Sequence, residues 1–234
     1  MTRGTVRRTA DRTAAARREI AAVCRSLYER GLIAGPDGNV SVRLGPGRLL
    51  VTPGGVSKAH IRPADMVVVE VPPSGVPRRG SRRPSSELAV HLRVYARRPD
   101  VGAVVHAHPP VATGFAVAGE GFPATVLPEI IVQVGAVPLV PYELPGTEAL
   151  AERCEPFLAA HDAFLMANHG AVTVGPSLAV AHQRMESLEH TARILLTARL
   201  LGRVNELSPA AVAALLAARV GGGSGTYAGA ARAG

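Results

Sequence analysis

The sequence predicts one α/β domain built on a mostly antiparallel central sheet. Three observations carry this. Hairpin-like pairs of short strands outnumber clean β-α-β units. No Pro/Ser-rich linker divides the 234 residues into two cores. No Gly-x-Gly-x-x-Gly follows a strand and opens a helix, which argues against a dinucleotide-binding fold. With 47% hydrophobic residues, a chain of this length can bury a core without disulfide or metal staples.

The elements follow in order. Residues 1–14 read as a flexible basic lead-in. A helix is expected from about Arg12 to Arg30, where Ala15, Ile20, Val23, Cys24 and Leu27 recur at helical spacing and Gly31 closes the run. "NVSVRL", a "GPG" turn and "RLLVT" form a hairpin. "DMVVVEV" is a further strand, and "PPSGVPRRGSRRP" an exposed connection. "SSELAVHLRVYARR" is a helix with a serine start and Glu87 early in its first turn. "VGAVVHAH" is a strand, and "PPVATGFAVAG" a short helix opened by proline. "LPEIIVQVG" fits helix or strand. "AVPLVPY" is a strand and "GTEALAERCEPFLAAH" a helix. "AFLMANHGAVTVG" is strand, tight turn, strand. "SLAVAHQRMESLEHTARILLTARLLG" is a long amphipathic helix. Residues 15–206 make the folded domain, and 207–234 a C-terminal helix with a flexible Gly-rich tail.

Composition narrows the function. The net charge of +8 lies largely in the N-terminal arginines and in "PRRGSRRP" (Pro77 to Pro84). Aromatics are 3% and tryptophan is absent, so stacking platforms for bases are scarce and nucleic acid is not the expected partner. A small anionic substrate suits a basic surface better. Two cysteines, Cys24 and Cys154, are too few for a secreted disulfide framework, which favours a reducing, cytoplasmic location. No apolar run reaches bilayer length, and no signal-peptide core follows the basic N-terminus.

The chemistry centres on "VVHAHPP". Residues two apart on a strand share a face, so His106 and His108 project together. With His169 in "NHG" and Glu87 they form a His₃Glu set of the kind that holds Zn²⁺, with Fe²⁺ or Mn²⁺ as alternatives. The competing reading is an alternating strand with ordinary histidines. His60, His91, His161, His182 and His190 read as solvated positions on helices and turns. Asn39 beside Gly38, Gly54 with Gly55, and Ser85 with Ser86 at a helix N-terminus suit an anion, because small turns and helix starts free backbone N–H groups. Taken singly, each reads first as a plain hairpin turn or serine cap.

The succession "GNVSVR", "VTPGGVSK", "PSSELAVHLRVYARRPDVGAVVHAHPP", "PYELPGT" and "NHGAVTVG" resembles the class II aldolase/adducin family, the L-fuculose-1-phosphate aldolases in particular, over roughly residues 15 to 205. The resemblance implies a three-layer α/β/α fold and a homotetramer with active sites between subunits. It implies that Glu87, His106, His108 and His169 hold zinc. It implies that Asn39, Gly54, Gly55, Ser85 and Ser86 hold a substrate phosphate. Glu87 would also carry the proton at the ketose carbon. The activity implied is cleavage of a ketose 1-phosphate to dihydroxyacetone phosphate and an aldehyde, through a metal-stabilised enediolate. Epimerases of the family place aspartate where Glu87 stands.

One position departs from the pattern. Where fuculose-phosphate aldolases carry a tyrosine acid, this chain has "LPEII". A gapless count puts Leu127 there; aligning the apolar run puts Glu129 there, as in a related sugar-phosphate dehydratase. Glu129 is thus a candidate acid/base, or else a helix N-terminal charge. Tyr227 in the tail is another candidate. Dehydratase, decarboxylase, epimerase, iron oxygenase and non-catalytic adducin-like readings stay open. Lys58, the one lysine, sits in a loop with no sign of burial, which disfavours a Schiff-base route.

Overall fold

The computed structural model describes residues 3–71, 82–123 and 125–221. Tyr227 and most of "PRRGSRRP" lie outside them. The order is α1 (Arg3–Glu29), β1 (Asn39–Gly45), β2 (Arg48–Val51), a 3-10 turn (Pro63–Asp65), β3 (Val67–Glu70), α2 (Leu88–Arg97), β4 (Ala103–Ala107) and α3 (Pro110–Val117). Then come α4 (Pro128–Gln133), β5 (Leu139–Val140), α5 (Glu148–Leu158), β6 (Ala163–Met166), β7 (Gly170–Gly175), α6 (Leu178–Leu200) and α7 (Pro209–Gly221).

The seven strands form one sheet in the order β3-β2-β1-β4-β7-β6-β5. It is mixed: β5 runs parallel to β6, and the other pairings are antiparallel. Helices cover both faces. Ile20, Leu27, Met185 and Leu188, from α1 and α6, pack on one side with Ala103, Val105 and Ala107 of β4. Val94 of α2 and Leu150 and Cys154 of α5 pack on the other with Val104. The alternation along β4 sends His106 to the α2 side, the same face as Val104. On α6, Leu178, Ala181, Met185, Leu188, Ala192 and Leu195 are buried at helical spacing.

Several details differ from the sequence reading. Helix α1 begins at Arg3, upstream of the first apolar repeat. "LPEIIVQ" resolves as helix α4 with Pro128 in its first turn. Helix α2 starts one residue after Glu87, which occupies the N-cap rather than the first turn. The cause is upstream. Ser85 N–H is bonded to Thr52 O at 3.1 Å and Pro84 bridges Pro53, so the chain stays tied to the β2 end until Ser85 and turns through Ser86 and Glu87 into the helix. Cys24 and Cys154 are both buried and free. Among the described residues, no helix is long and apolar enough to cross a membrane.

The carboxylate of Glu189, on α6, is buried and closes the start of α3. It accepts from Val111 N–H at 3.1 Å and Ala112 N–H at 3.0 Å, two of the donors a helix start leaves open. It thereby pins the segment that leaves β4 through Pro109 and Pro110. Glu189→Ala leaves those donors without a partner and is expected to cost about 1–3 kcal/mol, read as a lower midpoint in urea unfolding.

Candidate metal centre

Four parts of the chain converge at one end of the central strands. His106 is the last residue but one of β4, and its Nδ1–H donates to Ala171 O on the neighbouring β7 at 2.9 Å. His108 follows the strand, with its backbone N–H held by Leu32 O at 3.0 Å. His169 stands in the turn between β6 and β7, where Asn168 adopts a left-handed φ of 55°. Glu87 arrives at the N-cap of α2.

The side chains close on one another. Glu87 Oε2 lies 2.9 Å from His106 Nε2, and Glu87 Oε1 lies 2.8 Å from His169 Nε2. His108 Nε2 is 3.1 Å from His106 Nε2. The candidate ligand atoms of His106, His108 and His169 all lie within 4.8 Å of one another. Two glycines allow the approach. A Cβ on Gly170 would fall 2.5 Å from His108 Cδ2 and 2.6 Å from Ala107 O. One on Gly38 would fall 2.7 Å from His106 O, and its φ of +69° favours glycine anyway.

The donor set suits a cation. His106 gives its Nδ1 hydrogen to a carbonyl, so the neutral ring presents a lone pair at Nε2. That lone pair faces a carboxylate and a second imidazole nitrogen, and acceptors so close repel unless a proton or a metal lies between them. Three imidazoles and a carboxylate fit Zn²⁺, Fe²⁺ or Mn²⁺. The electrostatics agree. Burial disfavours the Glu87 anion, but the His106 and His169 imidazoles outweigh it and hold the carboxyl far below its usual range. Burial lowers the basicity of His106, yet Glu87 reverses this and raises it. Burial, reinforced by His106 and His169, pulls His108 down to about 4.

The anion-binding candidates also meet. Gly54 packs against Pro84 and Ser85, with its N–H bonded to Arg83 O at 3.1 Å. Ser85 Oγ accepts from Glu87 N–H at 3.3 Å, so the serine pair leads straight into the carboxylate that faces the histidines. Gly55, with φ +70°, continues the loop, and Ser86 is exposed in the chain segment before Glu87. Asn39 is buried, and its Nδ2 donates to Glu87 Oε2 at 2.8 Å. Its amide therefore serves the carboxylate directly. Glu129 is exposed in the first turn of α4, with no bond to the cluster among the described residues.

Two residues differ from the reading of the sequence. Lys58 is 1% exposed, not a free loop lysine, and burial lowers its pKa. Its Nζ donates to Pro36 O at 2.7 Å and Val56 O at 3.2 Å, tying together the loops on either side. His91 is 1% exposed rather than solvated, and burial pulls it down to about 3. Its spacing of four from Glu87 was the available signal, since such residues share a helix face.

The family described as "Class II Aldolase and Adducin N-terminal domain" matches residues 18–196. The chain belongs to this family. It is 34% identical over 177 residues to the 3-oxo-tetronate 4-phosphate decarboxylase of Haemophilus influenzae, covering 74% of this chain and 83% of that one. It is 36% identical over 168 residues to the 5-methylthioribulose-1-phosphate/5-deoxyribulose-1-phosphate aldolase of Rhodospirillum rubrum, covering 72% and 74%. The L-fuculose-1-phosphate aldolase of Thermus thermophilus superposes with a TM-score of 0.70 at 34% identity, over 82% of this chain and 96% of that one.

Two sets of variants test the centre. His106→Ala and His108→Ala are each expected to abolish stoichiometric metal binding, measured by elemental analysis; zinc retained at one equivalent in both would dismantle the site. Gly170→Ala keeps every ligand but forces His108 aside. It is expected to weaken metal binding roughly 10-fold or more, an effect of the size seen when the support of a ligand is disturbed, read by chelator competition.

Proposed function

We propose that the chain is a metal-dependent lyase that breaks a carbon–carbon bond next to a ketone in a phosphorylated sugar or sugar acid. The observation that supports this best is the closure of three imidazoles on the Glu87 carboxylate, next to a loop and serine pair suited to phosphate. His106, His108 and His169 would hold the cation, zinc first with iron or manganese as alternatives, and Glu87 would complete the set. The bound cation supplies Lewis-acid polarisation of the ketone oxygen. The Gly55 N–H and the Ser85 and Ser86 hydroxyls would grip the phosphate, with Gly54, whose own N–H is bonded to Arg83 O, shaping the loop and Asn39 aligning the carboxylate next to them. Glu87 would carry the proton to or from the substrate carbon.

Two reactions share this half of the chemistry. A 3-oxo acid loses CO₂: the C1–C2 electrons move toward the ketone, an enediolate forms, and a proton then adds to C2. From a four-carbon acid 4-phosphate the product is dihydroxyacetone phosphate. A ketose 1-phosphate gives the same enediolate by losing an aldehyde, but the departing carbon must first surrender its hydroxyl proton. Decarboxylation needs no base on that side, where Leu127 or Glu129 stands in place of the aldolase tyrosine. We therefore place decarboxylation first, supported by the Haemophilus influenzae relative. Aldol cleavage is the second reading, favoured by the Rhodospirillum rubrum relative and by the ionisable Glu129. A homotetramer with sites between subunits suits the exposed apolar surface at Leu200 and Leu201, 80% and 81% accessible. Such an assembly could bring Glu129 to a neighbour's centre.

The metal-loaded protein should be offered a 3-oxo sugar-acid 4-phosphate and a panel of ketose 1-phosphates, with release of CO₂, dihydroxyacetone phosphate and aldehyde followed against a chelated control. Release of CO₂ from the acid above that control is expected. No dihydroxyacetone phosphate from any substrate would overturn the proposal. Glu129→Gln should keep its metal and its CO₂ release, while any aldehyde release falls by roughly 10²-fold, the lower range for losing an acid/base.

A further inference from the structure

A line of buried hydrogen bonds stands behind Glu87. Asn39 Nδ2 donates to Glu87 Oε2 at 2.8 Å, and Asn39 Oδ1 meets His91 Nε2 in a short bond. His91 Nδ1 lies 2.6 Å from Ser41 Oγ, and Ser41 Oγ lies 2.9 Å from the Tyr95 hydroxyl. Asn39, Ser41, His91 and Tyr95 are all at least 95% buried, so water does not complete these bonds for them.

The direction of each bond follows from the one beside it. An ionised carboxylate only accepts, so Asn39 must turn its NH₂ toward Glu87 and its oxygen toward His91. His91 must then carry a hydrogen on Nε2. In a neutral ring that leaves Nδ1 as an acceptor, filled by the Ser41 hydroxyl, whose oxygen in turn accepts from Tyr95. Reversing any one link sets two acceptors or two donors against each other. The carboxylate end dictates the His91 tautomer, and the His91 tautomer secures the Asn39 amide.

Resting on the reading of the cluster as a metal centre, we propose that His91 is a positioning residue for that centre. Through Asn39 it holds Glu87 in the rotamer that directs Oε1 to His169 and Oε2 to His106, and so raises the affinity for the cation. Among the described residues the hydrogen bonds of the His91 ring go to Asn39 and Ser41, so it reaches Glu87 through the amide. Ser41, itself bonded to Tyr95, anchors the far side of the ring. The arrangement uses two adjacent strands and one helix: Asn39 and Ser41 share a face of β1, and His91 and Tyr95 lie one turn apart on α2.

Two substitutions separate the halves of the ring. His91→Gln keeps an N–H near the Nε2 position, facing Asn39. His91→Asn keeps a polar group near Nδ1, facing Ser41, but does not reach Asn39. Zn²⁺ affinity of the full-length protein, measured by competition with a chromogenic chelator, should fall roughly 10- to 100-fold in His91→Asn, as for other lost supports of metal ligands. It should stay close to wild type in His91→Gln. The melting temperature of the metal-free proteins, taken in parallel, reports any general packing defect. Affinity unchanged in both variants, or reduced equally in both, overturns the proposal. His106→Ala serves as the control. If it too binds Zn²⁺ like wild type, the metal-centre reading fails; if it loses Zn²⁺ while the His91 variants do not, only the role of His91 fails. Nitrogen-15 NMR of the wild-type histidines tests the same point without a variant: His91 is expected as the Nε2–H tautomer. A ring hydrogen on Nδ1 overturns the proposal even where His91→Asn does not fold.

Discussion

The contact of the Glu87 carboxylate with His106 and His169 sets the terms for the rest of the molecule. Each oxygen meets one imidazole, at 2.9 Å and 2.8 Å, in a site that is largely closed to water. A carboxylate so placed is costly without compensation. The compensation comes from segments far apart in sequence: β4, the β6–β7 turn, and the start of α2. The sheet order explains how they meet. β4 lies between β1 and β7, so His106 has Asn39 across from it on one side and the strand led by His169 on the other. The approach of Ser85 to α2 then delivers Glu87 to the same end.

Backbone geometry makes this convergence possible. Asn168 takes a left-handed conformation and Gly170 leaves room that a single methyl group would fill. The turn can therefore bring His169 over the strand end while His106 and His108 stay in contact. Pro109 and Pro110 stop β4, and Glu189 caps the helix that follows, so the strand does not run on past its second histidine. The four side chains are flexible, but the positions they start from are fixed by strands, caps and buried hydrogen bonds.

What could be read from the chain divides along physical lines. Period-two alternation carried His106 and His108 to one face, and the strand-turn-strand pattern placed His169 at a tight turn. Those are local properties, and they survive in the fold. The chain position of Glu87 was legible, but its exact place on α2 was not. The helix start depends on a bond from Ser85 to Thr52, a partner distant in sequence. Lys58 and His91 were misplaced for the same reason. Nothing within a few residues of Lys58 says that it is buried, and for His91 the spacing to Glu87 gives a shared helix face but not the strand that closes over it; Lys58 is enclosed by the loop at Pro36, and His91 by β1. The length of α1 was underestimated because its first turns carry arginines and threonines with no apolar repeat.

The two candidate reactions differ in what must happen on the side of the substrate away from Glu87. An aldehyde leaves only if a group there takes a hydroxyl proton, and that group needs a defined position against the metal centre. Carbon dioxide leaves without such help, so a site that evolved for it can let that wall vary. Both reactions would pass through the same enediolate, and the residues proposed to act on that half, Glu87, His106 and His169, are held by mutual contacts and buried hydrogen bonds. Glu129, by contrast, stands in solvent at the first turn of a six-residue helix. The rigidity of one half of the site and the openness of the other are what a change of leaving group requires. On the proposed function, that contrast would leave the same three histidines and one glutamate room for either cleavage.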